Sequence, residues 1–197
     1  MGYMKDYEQA HDQALMNNIH VAAIVKVISF NESKMTVEVQ PLAKSLEGGS
    51  FTSQPPILEV PVAATRSGGF IFRPWIKAGD IGVILYPDHD MDSALAGGKE
   101  SEPLTQRNHS PSDAVFVGGI VSGGYSVPGD IPGSALVMAT EDGGTYVAVK
   151  NGSVEIKGNL TVSGKITADG DILAEKSKSV AHHIHTGDSG GKTSQPD

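Results

Sequence analysis

The 197-residue sequence contains no cysteine, which excludes disulfide bonds, thiolate catalysis and cysteine-ligated zinc. Aromatic residues are scarce, at 6% with one tryptophan, and basic residues are outnumbered, with 15 Lys and Arg against 23 Asp and Glu. Nucleic-acid binding requires basic surface against the phosphates and is favoured by aromatic side chains that stack on bases. We therefore expect no nucleic acid among the partners of this acidic chain.

Long apolar runs are also missing. No stretch approaches the roughly 20 apolar residues of a membrane-spanning helix. The N-terminal sequence MGYMKDYEQAHDQALMNNIH lacks the apolar centre of a secretory signal peptide. We therefore expect synthesis in the cytoplasm without a signal peptide, followed by release through a route such as cell lysis.

Glycine and proline are abundant, with 24 and 11 copies, and they favour turns and strands over long helices. Residues 1–18 nevertheless predict an N-terminal helical segment. The reason is that Tyr7, Ala10, Ala14 and Leu15 fall on one side of a helix.

Residues 19–125 predict a β-barrel. They contain five or six short apolar runs separated by turn-forming residues, and in KMTVEVQ the residues Met35, Val37 and Val39 alternate with polar ones. Short strands of this number within about 100 residues are typical of small closed barrels, so an OB-fold is the predicted architecture. Trp75 is predicted to lie in the barrel core or at a subunit interface.

The polar stretch 87–113 predicts a long surface loop. Its acidic start, Pro87–Asp92 (PDHDMD), lacks the twelve-residue spacing and the final glutamate of an EF-hand. We interpret it as a solvated loop rather than a calcium site. Residues 126–134, which are rich in glycine and proline, are predicted to form a linker.

A six-residue repeat follows this linker. Aligned on glycine, residues 152–175 form four hexads, GSVEIK, GNLTVS, GKITAD and GDILAE. A branched apolar residue stands two positions after each glycine, at Val154, Leu160, Ile166 and Ile172. Glycine corners with alternate apolar side chains are typical of β-helices.

Four hexads make little more than one coil of a β-helix. One coil cannot bury its own interior, since repeat arrays need about three or more stacked repeats. Strands from other chains would complete the core and cover the open strand edges. We therefore predict an intertwined, three-chain β-helix shaft over residues 135–180, and hence a homotrimer.

Residues 181–197 are the predicted tip, and they hold three of the seven histidines, His182, His183 and His185. In a strand, His183 and His185 point to the same face. On a three-fold axis, three such pairs supply six imidazoles, a number that suits octahedral Fe(II) better than four-coordinate zinc. We predict one iron ion per trimer on His183 and His185, with zinc or nickel as substitutes, and no ligand role for His182.

The tail also contains Gly187–Gly191 (GDSGG), the string that surrounds the nucleophile of trypsin-like serine proteases. Those enzymes need a distant histidine base and further barrel structure after the nucleophile, whereas only eight residues follow Ser189. We interpret the motif as glycine-rich chain that folds back to close the tip.

Several segments, taken in order, resemble the central spike, or cell-puncturing, proteins of contractile-tailed bacteriophages. These segments are VKVISFNESKMTVEVQPL and KAGDIGVILYPDHDMDSAL in the barrel region, HSPSDAVFVGGI at its end, and the tail HIHTGDSGGKTSQP. The resemblance implies an OB-fold barrel, a trimer, and a pointed tip that holds iron through His183 and His185 of each chain. The short repeat and the lack of an enzymatic domain imply a purely mechanical spike without catalytic residues.

The same resemblance implies partners and a location. The barrel is expected to attach to the baseplate hub and tail tube, and the spike is expected at the distal tip of the virion tail. Sheath contraction would then drive it through the bacterial outer membrane into the periplasm.

Two other functions stay open. A trimeric hexapeptide-repeat acyltransferase would use a histidine as general base between subunits, but such enzymes usually need many more hexads, and here the histidines follow the repeat. A ligand-binding OB-fold module for oligonucleotides or glycans is the other alternative, although acidic charge and few aromatic residues disfavour nucleic acid.

Overall fold

The computed structural model describes residues 2–17, 19–121, 124–175, 178–185 and 190–192. The chain is mostly β-structure with few helices, as the sequence predicts. It separates into two compact units, Met1–Tyr125 and Ser126–Asp197. Among the described residues, no helix has both the length and the apolar character needed to cross a membrane.

Unit 1 starts with the helix α1 (Gly2–Asn17) and continues with nine strands. The strands are β1 (Ala22–Asn31), β2 (Thr36–Pro41), β3 (Ser45–Glu47), β4 (Ser50–Thr52), β5 (Ile57–Pro61), β6 (Thr65–Ser67), β7 (Phe70–Phe72), β8 (Ile81–Leu85) and β9 (Val115–Gly119). A second helix, α2 (Asp92–Gly97), and a 3₁₀ turn at Pro111–Asp113 lie between β8 and β9.

Five of these strands form one curled sheet in the order β5-β2-β1-β8-β9, and every neighbouring pair is antiparallel. The two edges of this sheet meet at a parallel bridge between Val62 and Phe116. There the Ala63 N–H donates to the Phe116 carbonyl oxygen at 2.8 Å. The sheet is therefore a half-barrel whose edges touch at one point. The hairpins β3–β4 and β6–β7 form separate two-stranded sheets.

Alternate residues of the curled sheet point into one core, as the period of a strand requires. The most buried side chains, each at most 2% exposed, are Val25, Val27, Val37, Val39, Val60, Ile84 and Phe116. The alternation predicted for β2 is confirmed at Val37 and Val39. Met35 is different, because it lies in the turn before β2 with a positive φ of 55°.

Trp75 does not lie in the core. Its side chain is 69% exposed, and its ring packs edge-on against Phe30 with centroids 5.9 Å apart. The prediction of a core position is wrong because the next residue, Ile76, fills that place and is 6% exposed. The alternative position at a subunit interface stays a prediction.

Gly82 in β8 makes room for the largest core side chain. A Cβ atom on Gly82 would lie 2.3 Å from Cε2 of Phe116 and 2.6 Å from the Gly118 carbonyl oxygen. We expect Gly82→Ala to lower the free energy of unfolding by about 1–3 kcal/mol, the usual cost of overpacking. Urea denaturation measures this loss.

The control variant for this test is Gly119→Ala. A Cβ atom on Gly119 would meet nothing closer than 3.6 Å, which is ordinary van der Waals contact. Equal destabilisation by the two substitutions would contradict the packing role of Gly82.

Unit 2 contains a three-stranded antiparallel sheet and one short strand pair. The sheet consists of β10 (Leu136–Ala139), β11 (Tyr146–Lys150) and β12 (Ser153–Lys157), and the pair consists of β13 (Leu173–Ala174) and β14 (Lys178–Ser179). Residues 158–172 form no strand. This single chain does not show the β-helix, which stays a prediction for the assembled protein.

Residues 126–134, the predicted linker, contact the sheet of unit 2. The Lys157 ammonium donates to the carboxylate of Asp130 and, at 2.8 Å, to the carbonyl oxygen of Gly143. The ion pair lowers the pKa of Asp130. This segment is therefore tied to the β10–β12 sheet through β12.

Candidate metal centre at the C-terminal histidines

The three tail histidines line one open hollow on the surface of unit 2. The other residues that line it are Ala174, Lys178, Ser179, Val180 and Ile184. The strand pair β13–β14 positions them, because the Val180 N–H extends that pairing by donating to the Ile172 carbonyl oxygen at 2.8 Å. Most of the glycine-rich GDSGG segment, at 187–189, lies outside the described residues.

The structure places His183 and His185 side by side. Their ring centroids are 5.1 Å apart, and the ring planes are nearly perpendicular, at 89°. Nδ1 of His183 lies 3.0 Å from the carbonyl oxygen of Val180. Since a carbonyl can only accept, Nδ1 carries the proton in this contact, and the lone pair of the neutral ring is then on Nε2. Nε2 is thus the ligand atom that His183 offers.

This donor set fits a metal shared between chains. One chain supplies two neighbouring imidazoles, whereas common metal sites need at least four ligands, counting any bound water. Further chains or bound water would supply the remaining ligands. His182 makes a different contact, since its backbone N–H donates to the Ser179 hydroxyl oxygen at 2.6 Å.

Asp171 organises the turn that precedes the histidines. Its Oδ1 accepts from the backbone N–H of Ala181 at 3.2 Å. A hydrogen bond from Ser179 is the main cause that lowers the pKa of Asp171, although partial burial opposes it. Sequence reasoning missed this role because Asp171 stands in the hexad GDILAE, where it has the appearance of an ordinary turn residue.

A second cluster of possible ligands lies in unit 1. Carboxylate oxygens of Asp90, Asp92 and Asp113 lie within 4.8 Å of one another. The Arg107 guanidinium lies among them, with Nη2 at 3.3, 3.0 and 2.9 Å from the three carboxylates in that order. The cluster is therefore an ion-pair network around the protein's own cation.

This network corrects the interpretation of Pro87–Asp92 as a solvated loop. The side chain of Asp90 is fully buried, whereas Asp88 stays 83% exposed. Asp90 accepts from the Thr105 hydroxyl at 2.7 Å, and Arg107 binds Asp113 through two nitrogens. The sequence could not indicate these contacts, because Arg107 lies fifteen residues from Asp92 in a polar stretch.

We expect replacement of Arg107 by methionine to destabilise unit 1, because Asp90 and Asp113 would then be buried without a cation. A fall in Tm of several degrees or more should appear in a thermal melt. The matched control is Arg73→Met, which breaks an exposed ion pair with Glu32, and exposed pairs contribute little. Similar melts for both variants would contradict the buried-network account.

The network also makes the stability of unit 1 depend on pH in the acid range. Hydrogen bonds from Thr105 and from the Asp92 N–H, followed by the charge of Arg107, lower the pKa of Asp90 below its ordinary 3.8. A lowered folded-state pKa gives stability that is present above the unfolded-state pKa and is lost as the pH falls through the folded-state pKa. The Tm of Thr105→Val should therefore lie below that of the wild type at neutral pH, and the two Tm values should converge in strong acid.

Comparison with known proteins finds a similarity over residues 24–119. They match the family model described as Phage protein Gp138 N-terminal domain. No curated protein sequence matches the chain. The matched residues contain nearly the whole curled sheet and the Arg107 network, and they end before unit 2. The first unit of this chain is therefore similar to the N-terminal domain of phage protein Gp138, which supports a phage structural protein and a component of the virion.

Proposed function

We propose that this chain is the central spike of a contractile phage tail, a mechanical homotrimer that pierces the bacterial outer membrane and has no catalytic role. The barrel end binds the baseplate hub and tail tube, and the histidine end is the distal tip. The match to a phage protein domain supports a tail or baseplate component.

The observation that carries the proposal is the exposure of the hexad repeat in the single chain. The residues that the repeat assigns to a core, Val154, Leu160, Ile166 and Ile172, are 62%, 66%, 66% and 45% exposed. Complete burial of such a side chain stabilises by about 1.5–3 kcal/mol relative to complete exposure, so covering the exposed part of each would still be favourable. One chain leaves about half or more of these side chains exposed, and partner strands from further copies are the natural cover.

Unit 1 supports the barrel part of the proposal. The strand order β5-β2-β1-β8-β9 joins the sheet edges through the parallel bridge at Val62 and Phe116. A partly open, five-stranded Greek-key barrel of this kind is the architecture of an OB-fold. We therefore propose that the curled sheet is an OB-fold used for attachment.

The tip part of the proposal rests on the neighbouring rings of His183 and His185. Three chains would present six imidazoles, a set that suits iron, with zinc or nickel as substitutes. A bound ion links the chains where they converge and stabilises the folded trimer by linkage. Val180 orients His183 through the contact with Nδ1, and Asp171 holds the preceding turn.

Location in the particle is the test of this function. We expect antibodies against the chain to label the distal end of purified contractile tails in electron micrographs. Peptides of the chain should also be present in the virion at about three copies for each tail tip. Labelling elsewhere on the particle, or absence from purified virions, would contradict the spike assignment.

A further inference from the structure

Three adjacent strands of unit 1 carry apolar residues on both faces, and Lys26 of β1 is the exposed charge next to them. Their inner residues form the core, and their outer residues Ala22, Ile24, Val83, Leu85, Val115 and Val117 are exposed or half-buried. We call these six residues the β1–β8–β9 outer face. They adjoin one another across the strands, because Ile24 pairs with Val83, and Leu85 pairs with both Ala22 and Val115.

The neighbouring strand β2 differs on its outer side. Its outward residues Thr36, Glu38 and Gln40 are polar, while the residues between them are buried. This alternation is typical of a strand with one face in water, whereas strands that are apolar on both sides are typically covered on both. The β1–β8–β9 outer face therefore requires a cover that β2 does not.

We propose that this outer face is the contact between the barrel units of neighbouring chains, so that its cover is a second copy of this chain. The inference rests on the proposed trimer and assigns it a second interface, separate from the shaft. In a three-fold assembly each unit would use this face against a different surface of its neighbour.

Local charge permits a second copy as the occupant. Each chain carries a formal net charge of −8, which repels a second copy overall, so copies are expected to meet through uncharged surface. The six residues of the outer face carry no charge, and Lys26 stands at their border, paired with Ile81 and Gln40. A large apolar area free of charged side chains is also typical of the centre of homo-oligomer interfaces.

The covalent connection to the shaft also favours a second copy as the occupant of the outer face. Only residues 120–135 separate β9 from β10, and a segment of this length spans at most about 55 Å when fully extended. Three chains joined in a shaft would thus hold their barrel units at an effective concentration on the order of millimolar. Even a modest interface of six apolar side chains is occupied at that concentration.

Thiol protection tests the proposal, because the chain has no cysteine of its own. Leu85→Cys places a single thiol on the outer face, and Thr36→Cys places the control thiol on the outer side of β2. Leu85 is 43% exposed in the single chain and Thr36 is half-buried. We nevertheless expect a maleimide reagent to modify the Leu85→Cys trimer about tenfold or more slowly than the Thr36→Cys trimer, because protection follows coverage and local opening.

Combining Leu85→Cys with Ile166→Asp tests whether another copy of the chain covers the outer face. This substitution should separate the chains, and the Leu85→Cys thiol should then react as fast as the control thiol. Slow reaction in the separated chain would mean that the chain covers its own outer face, which overturns the inference. Fast reaction in a protein that has the mass of three chains would overturn it too, while leaving the proposed spike intact.

A second measurement does not depend on separating the chains. A photoreactive benzoylphenylalanine in place of Leu85 should give two-chain adducts in the assembled protein. The same residue in place of Thr36 should give few. Adducts confined to one chain, or equal yields at both positions, would contradict a contact between copies.

Discussion

Replacing Ile166 by aspartate is expected to abolish the trimer. Ile166 is 66% exposed in the single chain, so a carboxylate there should do little to the fold of one copy. In the proposed shaft the same position faces the shared core, where three carboxylates would be buried without partners. The effect should therefore appear in assembly alone. Sedimentation velocity should show a species of one chain, 20.6 kDa, at micromolar concentration.

The control for this variant is Lys165→Asp, which introduces the same side chain one residue earlier in the hexad. Neighbouring residues of a strand point to opposite faces, so this carboxylate would face solvent, and the trimer should persist. A stable trimer in the Ile166→Asp variant would show that the inward assignment of Val154, Leu160, Ile166 and Ile172 is wrong. Loss of the trimer in both variants would contradict it as well.

Replacing either His183 or His185 by alanine is expected to remove the bound metal completely. Each substitution deletes three of the six imidazoles at once in a three-chain site, and the remaining three cannot complete an octahedral set. His182→Ala should keep the metal, because His182 is not one of the proposed ligands. Its hydrogen bond to Ser179 is donated by the backbone N–H, which alanine retains. Elemental analysis of the purified proteins should give one ion per three chains in the wild type and in His182→Ala only.

The shaft should survive in the empty variants. Its proposed core consists of the hexad residues, none of which is a ligand, so the mass in solution should remain that of three chains. A wild type without metal, or equal loss of metal on replacing His182, would contradict the assignment of the site. Dissociation of the His183→Ala protein to single chains would contradict the separation of shaft and tip.

The sequence predicted those parts of the fold that depend on local alternation. β1, β2, β5, β8 and β9 each lie in an apolar run, because alternate residues of each strand point into the core. β7 lies in such a run because all three of its residues are apolar, although all three are exposed. Strands β3, β4 and β6 were missed, since they are three residues long and every residue of β4 and β6 is exposed. Such short hairpins leave no period to detect.

Contacts between distant residues were beyond the sequence. The Arg107 network joins Arg107 to Asp90, seventeen positions earlier in a polar stretch, and to Asp92 and Asp113, and no spacing rule links these side chains. Trp75 was predicted to lie in the core or at a subunit interface, and the structure gives the core position to Ile76. The proximity of His183 and His185 could be predicted, because residues two apart in an extended segment share a face.

Native mass spectrometry of the wild-type protein tests the central claim most directly, since one spectrum reports both the number of chains and the bound ion. The account predicts a single species of three 20.6 kDa chains, about 62 kDa, with the additional mass of one iron, zinc or nickel ion. Acid should release the ion and leave the three chains together, since imidazole ligands must be neutral to bind and the proposed shaft core contains no ligand. A folded species with the mass of one chain, or three chains without any metal, would contradict the account.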